Sequence, residues 1–194
     1  MHSDNPGSNH NYDRLLNVPS GWTGELIDGK LFTFPRPVLR HVRVTSQLGS
    51  RLIAIADRDV DDSGPFEGDR GWYILIEPEI RLNGDALVPD IAGWLRHRIT
   101  PGTTDYIDCA PDWVCEVLSP STSARDRGVK ADWYFEHGVQ HYWIADPDSC
   151  TIEVCARGET TWNVVAIVTG NLVVRCPPFA DTTIDLRQLW VRAA

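Results

Sequence analysis

The sequence lacks the features that identify several large protein classes. No apolar run approaches the ~20 residues needed to cross a bilayer. The polar segment Met1 to Asn11 has no signal-peptide profile, so we expect a cytoplasmic protein with no membrane contact. The five cysteines contain no CxxC pair, which argues against disulfides and a zinc ribbon. HxxxH, GxSxG, P-loop and dinucleotide-binding motifs are also absent.

Positive charge is scarce as well. The chain has 18 lysines and arginines against 27 aspartates and glutamates, which gives a net charge of −9. Proteins that bind nucleic acid more often carry a basic surface, so this balance counts against nucleic acid as a partner. Local clusters at Arg36–Arg43, Arg96–Arg98 and Arg125–Arg127 soften the objection, although ordinary solvated arginines would give the same pattern.

Hydrophobic residues make up 42% of the 194 residues, which is enough for a packed core. We predict a disordered tail at residues 1–11 and a single domain at residues 12–194. The first half reads as a hairpin at Glu25–Phe34, turning at Asp28-Gly29, and a helix at His41–Ile55. Two strands, Trp72–Ile76 and Leu87–Trp94, follow a loop and should be antiparallel neighbours.

The second half contains a fully buried strand at Trp113–Leu118, a helix at Asp126–His137 that ends at Gly138, and a strand at His141–Ala145. A helix between two buried strands predicts a right-handed parallel crossover. Further strands are expected at Thr151–Ala156 and Trp162–Thr169, with a closing helix or turn at Thr183–Val191. The order predicts a mixed sheet with helices on its faces, of class α/β or α+β.

Glu116 is an ionisable residue inside the otherwise apolar strand WVCEVL. A carboxylate in such a place is costly unless it is paired or binds a metal ion. A buried salt bridge is the alternative explanation. A lone carboxylate rarely holds a divalent ion, so a metal site at Glu116 requires a second acidic residue.

Two Pro-Asp pairs offer that second residue. Asp112 lies four residues before Glu116 on the same strand, roughly 13 Å away, so the two cannot share an ion. Asp90 lies on another strand, and neighbouring strands are only ~4.8 Å apart. We therefore expect the Asp90 and Glu116 carboxylates within roughly 3–6 Å of each other, where Mg²⁺ or Mn²⁺ would relieve their repulsion.

Lys130 is the third candidate. Lys30 and Lys130 are the only lysines of a chain that otherwise uses arginine, which indicates a use for a compact ammonium group. A solvated helix lysine is the alternative interpretation. His41, Glu25 and Asp126 are weaker candidates, and Asp126 could simply pair with Lys130 one helical turn away or provide helix N-terminal charge.

The runs GELIDGKL, LVPDI and APDWVCEVLSPSTSARDRGVKADWYFEHGVQHYWIADP resemble the Uma family of restriction-type endonucleases, a branch of the PD-(D/E)XK nucleases. The resemblance covers about Leu15 to Trp190. It implies a restriction-endonuclease-like central mixed sheet flanked by helices, with an extra N-terminal hairpin and C-terminal strands. It also implies Mg²⁺-dependent hydrolysis of DNA phosphodiesters, and that Asp90 and Glu116 match the two acidic motif positions.

The resemblance is incomplete at the lysine of the superfamily, because Leu118 stands at that position. The family supplies its lysine from the following helix, which points to Lys130. His41, Glu25 and Asp126 match recurrent polar positions without assigned roles. The alternatives to an active endonuclease are a non-catalytic module that binds nucleic acid or protein and a hydrolase of another phosphodiester. A homodimer would suit an enzyme that cuts both strands.

Overall fold

The structure is a computed structural model that describes residues 12–57, 71–100, 102 and 104–190. The predicted tail at residues 1–11 and most of the loop predicted between Asp57 and Gly71 lie outside the described residues.

A six-stranded mixed sheet forms the centre of the structure. Its strands are β3 (Trp72–Ile76), β6 (Ile91–Leu95), β7 (Trp113–Val117), β8 (His141–Asp146), β9 (Thr151–Arg157) and β10 (Trp162–Thr169). They lie side by side in the order β10-β9-β8-β7-β6-β3. Within this sheet only β7 and β8 are parallel neighbours, as expected for the two strands on either side of the crossover helix. The predicted antiparallel pairing of β3 with β6 is confirmed.

A second sheet has four strands, β1 (Trp22–Ile27), β2 (Lys30–Pro35), β4 (Ile80–Leu82) and β5 (Asp85–Leu87). They lie in the order β2-β1-β5-β4, and β1 and β2 form the predicted hairpin. Asp28 and Gly29 connect β1 to β2 with φ angles of 51° and 69°. Two successive positive φ angles match the twist of a two-residue hairpin turn, which explains the Asp-Gly sequence.

The prediction of one continuous strand from Leu87 to Trp94 is wrong. The chain forms β5 in the small sheet, leaves it after Leu87, and enters the central sheet as β6 at Ile91. Pro89 lies in the connection, where its missing N–H interrupts no ladder. The segment Val88–Asp90 therefore passes from one sheet to the other, and it brings Asp90 to the start of β6.

Two helical elements cover the central sheet. Helix α1 (Leu39–Ala56) begins two residues before the predicted start. The crossover helix consists of α2 (Ser123–Arg125), the segment Asp126–Lys130, which is kinked at Gly128, and α3 (Ala131–Glu136). No helix in the described residues is both long and apolar enough to span a bilayer.

The prediction of a closing helix or turn at Thr183–Val191 is wrong at its start. Ile184–Asp185 form the short strand β12, which pairs with β11 (Val173–Val174) in an antiparallel ribbon. The pairing with β11 gives the backbone of β12 its hydrogen-bond partners. Val191 lies outside the described residues.

Alternation along β7 divides the core into two layers. Trp113, Cys115 and Val117 face α1, where they pack with Leu48 and other buried residues. Val114 faces the crossover helix. Because side chains alternate between sheet faces, Glu116 also points to the crossover-helix face. The carboxylate therefore enters a layer that is otherwise packed with apolar side chains.

Helix α1 offers a matched test of this layering. Leu48 is fully buried, whereas Leu39, on the same helix, is 80% exposed. We expect Leu48→Ala to lower the free energy of unfolding by about 2–5 kcal/mol. Leu39→Ala should change it by less than about 0.5 kcal/mol. Urea denaturation monitored by circular dichroism measures both, and equal effects would contradict the assignment of the buried face.

Candidate active site

Asp90 and Glu116 lie at the same end of adjacent strands. Ile91 of β6 pairs with Cys115 of β7 in antiparallel register, so the next position places Asp90 opposite Glu116. Opposed residues of an antiparallel pair carry their side chains on the same face, with Cβ atoms ~4.5–5.5 Å apart. Asp90 Oδ2 also accepts a 2.7 Å hydrogen bond from the backbone N–H of Val117, which fixes this carboxylate beside Glu116.

Asp112 lies at the other end of β7 and has a different function. Its Oδ2 accepts a hydrogen bond from Leu95 N at 2.9 Å, and its Oδ1 lies 2.6 Å from Arg98 NH1. Both oxygens are occupied in holding the end of β6 and the 3₁₀ turn that follows it. Asp112 is therefore a structural residue, as the sequence spacing predicted.

Lys130 is 1% exposed, so it is not a solvated helix lysine. Its Nζ lies 2.6 Å from Glu116 Oε1 and 2.9 Å from Glu25 Oε1, and 3.3 Å from the carbonyl oxygen of Val88. The contacts with Glu25 and the Val88 carbonyl are hydrogen bonds, and the contact with Glu116 is a close ion pair. The lysine ties the crossover helix to β7, to β1 and to the Val88–Asp90 connection.

Glu25 is the second carboxylate that holds Lys130, and it is fully buried. Its Oε1 also accepts a 2.9 Å hydrogen bond from Val88 N. Its Oε2 lies 3.2 Å from Nη1 of Arg125, but in an orientation that makes an ion pair without a hydrogen bond. Glu25 thus couples the hairpin to Arg125 and Lys130 of the crossover helix.

Asp126 is also buried, at 1% exposure. It lies in the first turn of the crossover helix, which begins three residues earlier at Ser123, and its Oδ1 atom lies 3.2 Å from Nη2 of Arg125. Burial raises the pKa of Asp126, against the opposing effects of Lys130 and Arg125. Asp126 therefore belongs to the buried charge cluster.

His41 reaches the site from the first turn of α1. Its Nε2 lies 3.1 Å from each oxygen of Asp90. A carboxylate can only accept, so Nε2–H donates. Burial disfavours the imidazolium, but the hydrogen bond to Asp90 and the charge of Asp90 outweigh it and raise the pKa of His41. The histidine and the Val117 N–H together hold Asp90 in place.

The pKa of Glu116 is shifted by burial and by four charged groups of the site. Burial raises its pKa well above the ordinary range, and the carboxylates of Asp90, Asp126 and Glu25 raise it further, against the opposing effect of Lys130. Tyr134 donates a 2.6 Å hydrogen bond to Oε1, the oxygen that also contacts Lys130. Burial and the Glu116 charge raise the pKa of Tyr134, which keeps the phenol protonated as a donor.

A cavity of about 290 Å³ is lined by most of these charged groups, but not by Glu25. Its floor contains Asp90, Glu116, Asp126 and Lys130, and its mouth is formed by residues of β2 and the start of α1. Since Lys130 and Tyr134 both contact Oε1 of Glu116, its Oε2 is the oxygen left for a ligand in the cavity. The site can present two carboxylates to a small charged group.

All six residues selected from the sequence lie at this site, but Arg125 and Tyr134 were missed as its members. Arg125 was noted only as part of a basic cluster, although its guanidinium lies 3.8 Å from the Phe34 ring centroid and bridges Glu25 and Asp126. Tyr134 follows Lys130 by four residues, the spacing that places two side chains on one helical face. That spacing could have identified it.

The donor set fits a divalent cation of the magnesium type. Four carboxylates face two permanent cations, Lys130 and Arg125, so the buried cluster carries surplus negative charge. Among the described residues no group of three or more His, Cys, Asp or Glu side chains is placed to hold a metal ion. Mg²⁺ commonly takes one or two carboxylates and completes its shell with water and phosphate oxygens. Asp90 and Glu116 match that requirement.

Comparisons with known proteins agree with the fold. A family model described as "Uma2: Putative restriction endonuclease" matches residues 10–187. The structure resembles the crystal structure of "a putative nuclease belonging to DUF820 from Anabaena variabilis ATCC 29413", with a TM-score of 0.70 and 24% sequence identity. The match covers 92% of this chain and 96% of that one. No curated protein matches the chain.

The two lysines give a matched test of the charge cluster. We expect Lys130→Met to lower the free energy of unfolding by about 3–5 kcal/mol, because it leaves carboxylates buried without their cation. Lys30 is exposed in β2, so Lys30→Met should change it by less than about 0.5 kcal/mol. Denaturant titration at constant pH measures both.

A double-mutant cycle separates the ion pair from the packing of the lysine stem. Glu25→Gln combined with Lys130→Met should cost less than the sum of the two single changes, because partners in one network are coupled. Strict additivity would show that the Glu25–Lys130 contact does not contribute to stability.

Proposed function

The chain belongs to the Uma2 family, described as "Putative restriction endonuclease", and from this premise we propose that it is an endonuclease that hydrolyses phosphodiester bonds in DNA with the help of Mg²⁺ or Mn²⁺. The observation that carries the proposal is the pairing of Asp90 and Glu116 across β6 and β7, at the floor of a cavity with surplus negative charge. A carboxylate pair of this kind suits an ion that also binds a phosphate.

Asp90 and Glu116 would hold the ion, which supplies Lewis-acid polarisation of the phosphate and an attacking water of lowered pKa. His41 and the Val117 N–H hold Asp90 in one orientation. Tyr134 and Lys130 do the same for Glu116 through Oε1. Hydrolysis then adds the hydroxyl of one water to phosphorus, and the leaving ester oxygen ends with a proton.

Lys130 has a more specific role than that of a general positive charge. Its Nζ donates hydrogen bonds to Glu25 and the Val88 carbonyl and forms a close ion pair with Glu116. We infer that it positions Glu116 and favours the ionised form of that carboxylate. The Val88 contact is the longest of the three. Exchanging this contact for a phosphate oxygen would let Lys130 stabilise the charge that grows during the reaction.

A second candidate function is a non-catalytic module that keeps the fold and binds nucleic acid or protein. The contacts of Lys130 with Glu25, Glu116 and the Val88 carbonyl, all within the chain, and the net charge of −9 favour it. Plasmid nicking in Mg²⁺ and in Mn²⁺ separates the two functions, because the module would bind without cutting. Parallel assays on small phosphodiesters would identify a hydrolase with another substrate.

Metal binding should stabilise the folded protein. Adding Mg²⁺ or Mn²⁺ at one hundred times its dissociation constant should raise the free energy of unfolding by about 2.7 kcal/mol through linkage. Asp90→Asn should abolish the rise in melting temperature. Asp112→Asn is the matched control, since Asp112 belongs to the other Pro-Asp pair and contacts Leu95 and Arg98. An equal rise in wild type and Asp90→Asn would place the ion elsewhere.

The rate of DNA cleavage should distinguish the role of Lys130 from the role of the carboxylates Asp90 and Glu116. Lys130→Met should retain metal binding, because no ligand is lost and a neighbouring positive charge is removed. Its rate of plasmid nicking should fall by about 10²–10³, the usual loss for one positioned charge-stabilising group. Glu116→Gln should lose both metal affinity and cleavage. Calorimetric metal titration beside the nicking assay reports the two properties separately.

Lys130→Arg guards this test against a variant that fails to fold, because it keeps the buried charge. It should fold and bind metal yet not restore full activity, since a planar guanidinium cannot reproduce three contacts from one nitrogen. Wild-type nicking by a folded Lys130→Met protein would remove the lysine from the mechanism.

A further inference from the structure

Arg36 is an exposed arginine at the mouth of the cavity whose floor contains Asp90 and Glu116. It follows β2 directly and stands between Pro35 and Pro37. We propose that Arg36 binds a phosphate of the substrate strand next to the one at the floor, and so guides the strand into an acidic cavity. The inference rests on the proposed nuclease function and adds a substrate-binding residue to it.

Charge is the first argument. Most arginines in the described residues are occupied within the chain. Arg40 pairs with Asp148, Arg98 with Asp112 and Arg127 with Glu153. Among the described residues Arg36 has no side-chain hydrogen bond or ion pair, and it lines the cavity. Its guanidinium therefore keeps its donors for a ligand.

The cation already inside the cavity cannot take this role as easily. Arg125 is bound to Glu25 and Asp126, and its guanidinium lies over the Phe34 ring. A phosphate that recruits Arg125 must first break those contacts and leave buried carboxylates without a cation, which is costly. Arg36 can bind a phosphate without such a loss.

The backbone around Arg36 is prepared for binding. A residue before proline is restricted to extended conformations, so Pro37 limits the choices of Arg36. The Arg36 N–H is hydrogen-bonded to the carbonyl oxygen of Gly21 at 3.3 Å. The main chain is therefore held in place while the side chain is left open to solvent. Ordering a side chain on a fixed backbone costs less than ordering a whole loop.

The guanidinium group of Arg36 determines which kind of ligand it can bind. A planar guanidinium presents paired N–H donors that match two oxygens of one phosphate group. The strand is already bound at the floor through its scissile phosphate in the proposed reaction. Arg36 would therefore hold a flanking phosphate of the same strand, independently of base sequence.

The test is the salt dependence of binding, which a merely structural role would not change. A fluorescently labelled DNA duplex and its matching single strand are titrated with wild type, Arg36→Ala and Arg36→Lys in Ca²⁺, an ion that also takes oxygen ligands. Arg36→Ala should weaken binding about tenfold, the contribution of one exposed charge-assisted hydrogen bond. The slope of log K against log salt should become shallower by about 0.9 for duplex or about 0.7 for the single strand.

Two variants complete the design. Arg36→Lys keeps the charge and should keep the wild-type slope. Arg175→Ala removes another exposed arginine that does not line this cavity, and it should leave slope and affinity unchanged. An unchanged slope in Arg36→Ala, an equal loss in Arg175→Ala, or no binding by the wild type would overturn the proposal.

Nicking assays with the same proteins distinguish this inference from the proposed function. In Mg²⁺, Arg36→Ala should raise KM about tenfold with kcat little changed, as for a contact made equally in ground and transition states. A wild type that binds DNA through Arg36 but cuts nothing would refute the endonuclease and leave the phosphate contact standing.

Discussion

The buried contact between Lys130 and Glu116 is the interaction on which the rest of the site depends. Two opposite charges at 2.6 Å are both almost fully removed from water. Neither could remain there alone, because an isolated charge in a protein interior is far more costly than a paired one. Glu25 supplies the second contact to Lys130. The crossover helix, the N-terminal hairpin and β7 are thereby joined by charge as well as by packing.

The cluster does not reach neutrality by itself. Glu25, Asp90, Glu116 and Asp126 outnumber Lys130 and Arg125, and burial together with this surplus keeps the pKa of Glu116 well above the ordinary range. For an acid with a raised pKa in the folded state, the protonated form is favoured by folding. Stability is then lost as the pH rises through the window between the ordinary pKa and the raised one. A bound divalent cation opposes that loss by favouring the ionised carboxylate.

A kink at Gly128 divides the crossover helix within the site. Gly128 has φ −111° and ψ −106°, outside the helical range. The kink lies between Arg125 and Lys130. Both of these cations, together with Asp126 and the Tyr134 hydroxyl, reach the same buried cluster.

Local sequence patterns predicted most of the fold. The Asp-Gly turn, the alternation along the strands and the apolar spacing of α1 act over a few residues, and each is visible in the sequence. The division of Leu87–Trp94 between two sheets was missed, because strand pairing is a long-range property that one segment does not specify. Asp90 could be chosen over Asp112 by distance along a strand. The buried contacts of Lys130 could not be predicted, because its partners Glu25 and Glu116 come from segments far apart in the chain.

The use of arginine within the chain changes how the net charge should be understood. A count of basic residues treats every arginine as available to a polyanion. In the described residues most of them instead compensate carboxylates or hold backbone carbonyls, as Arg98 does for Asp112 and Arg14 for the Gly29 carbonyl. Little positive surface then remains to attract DNA at long range. In the proposed reaction, affinity for a phosphodiester would come mainly from a metal ion at the floor of the cavity and from Arg36 at its mouth. Metal and substrate would then bind with positive coupling, since each supplies charge that the other lacks.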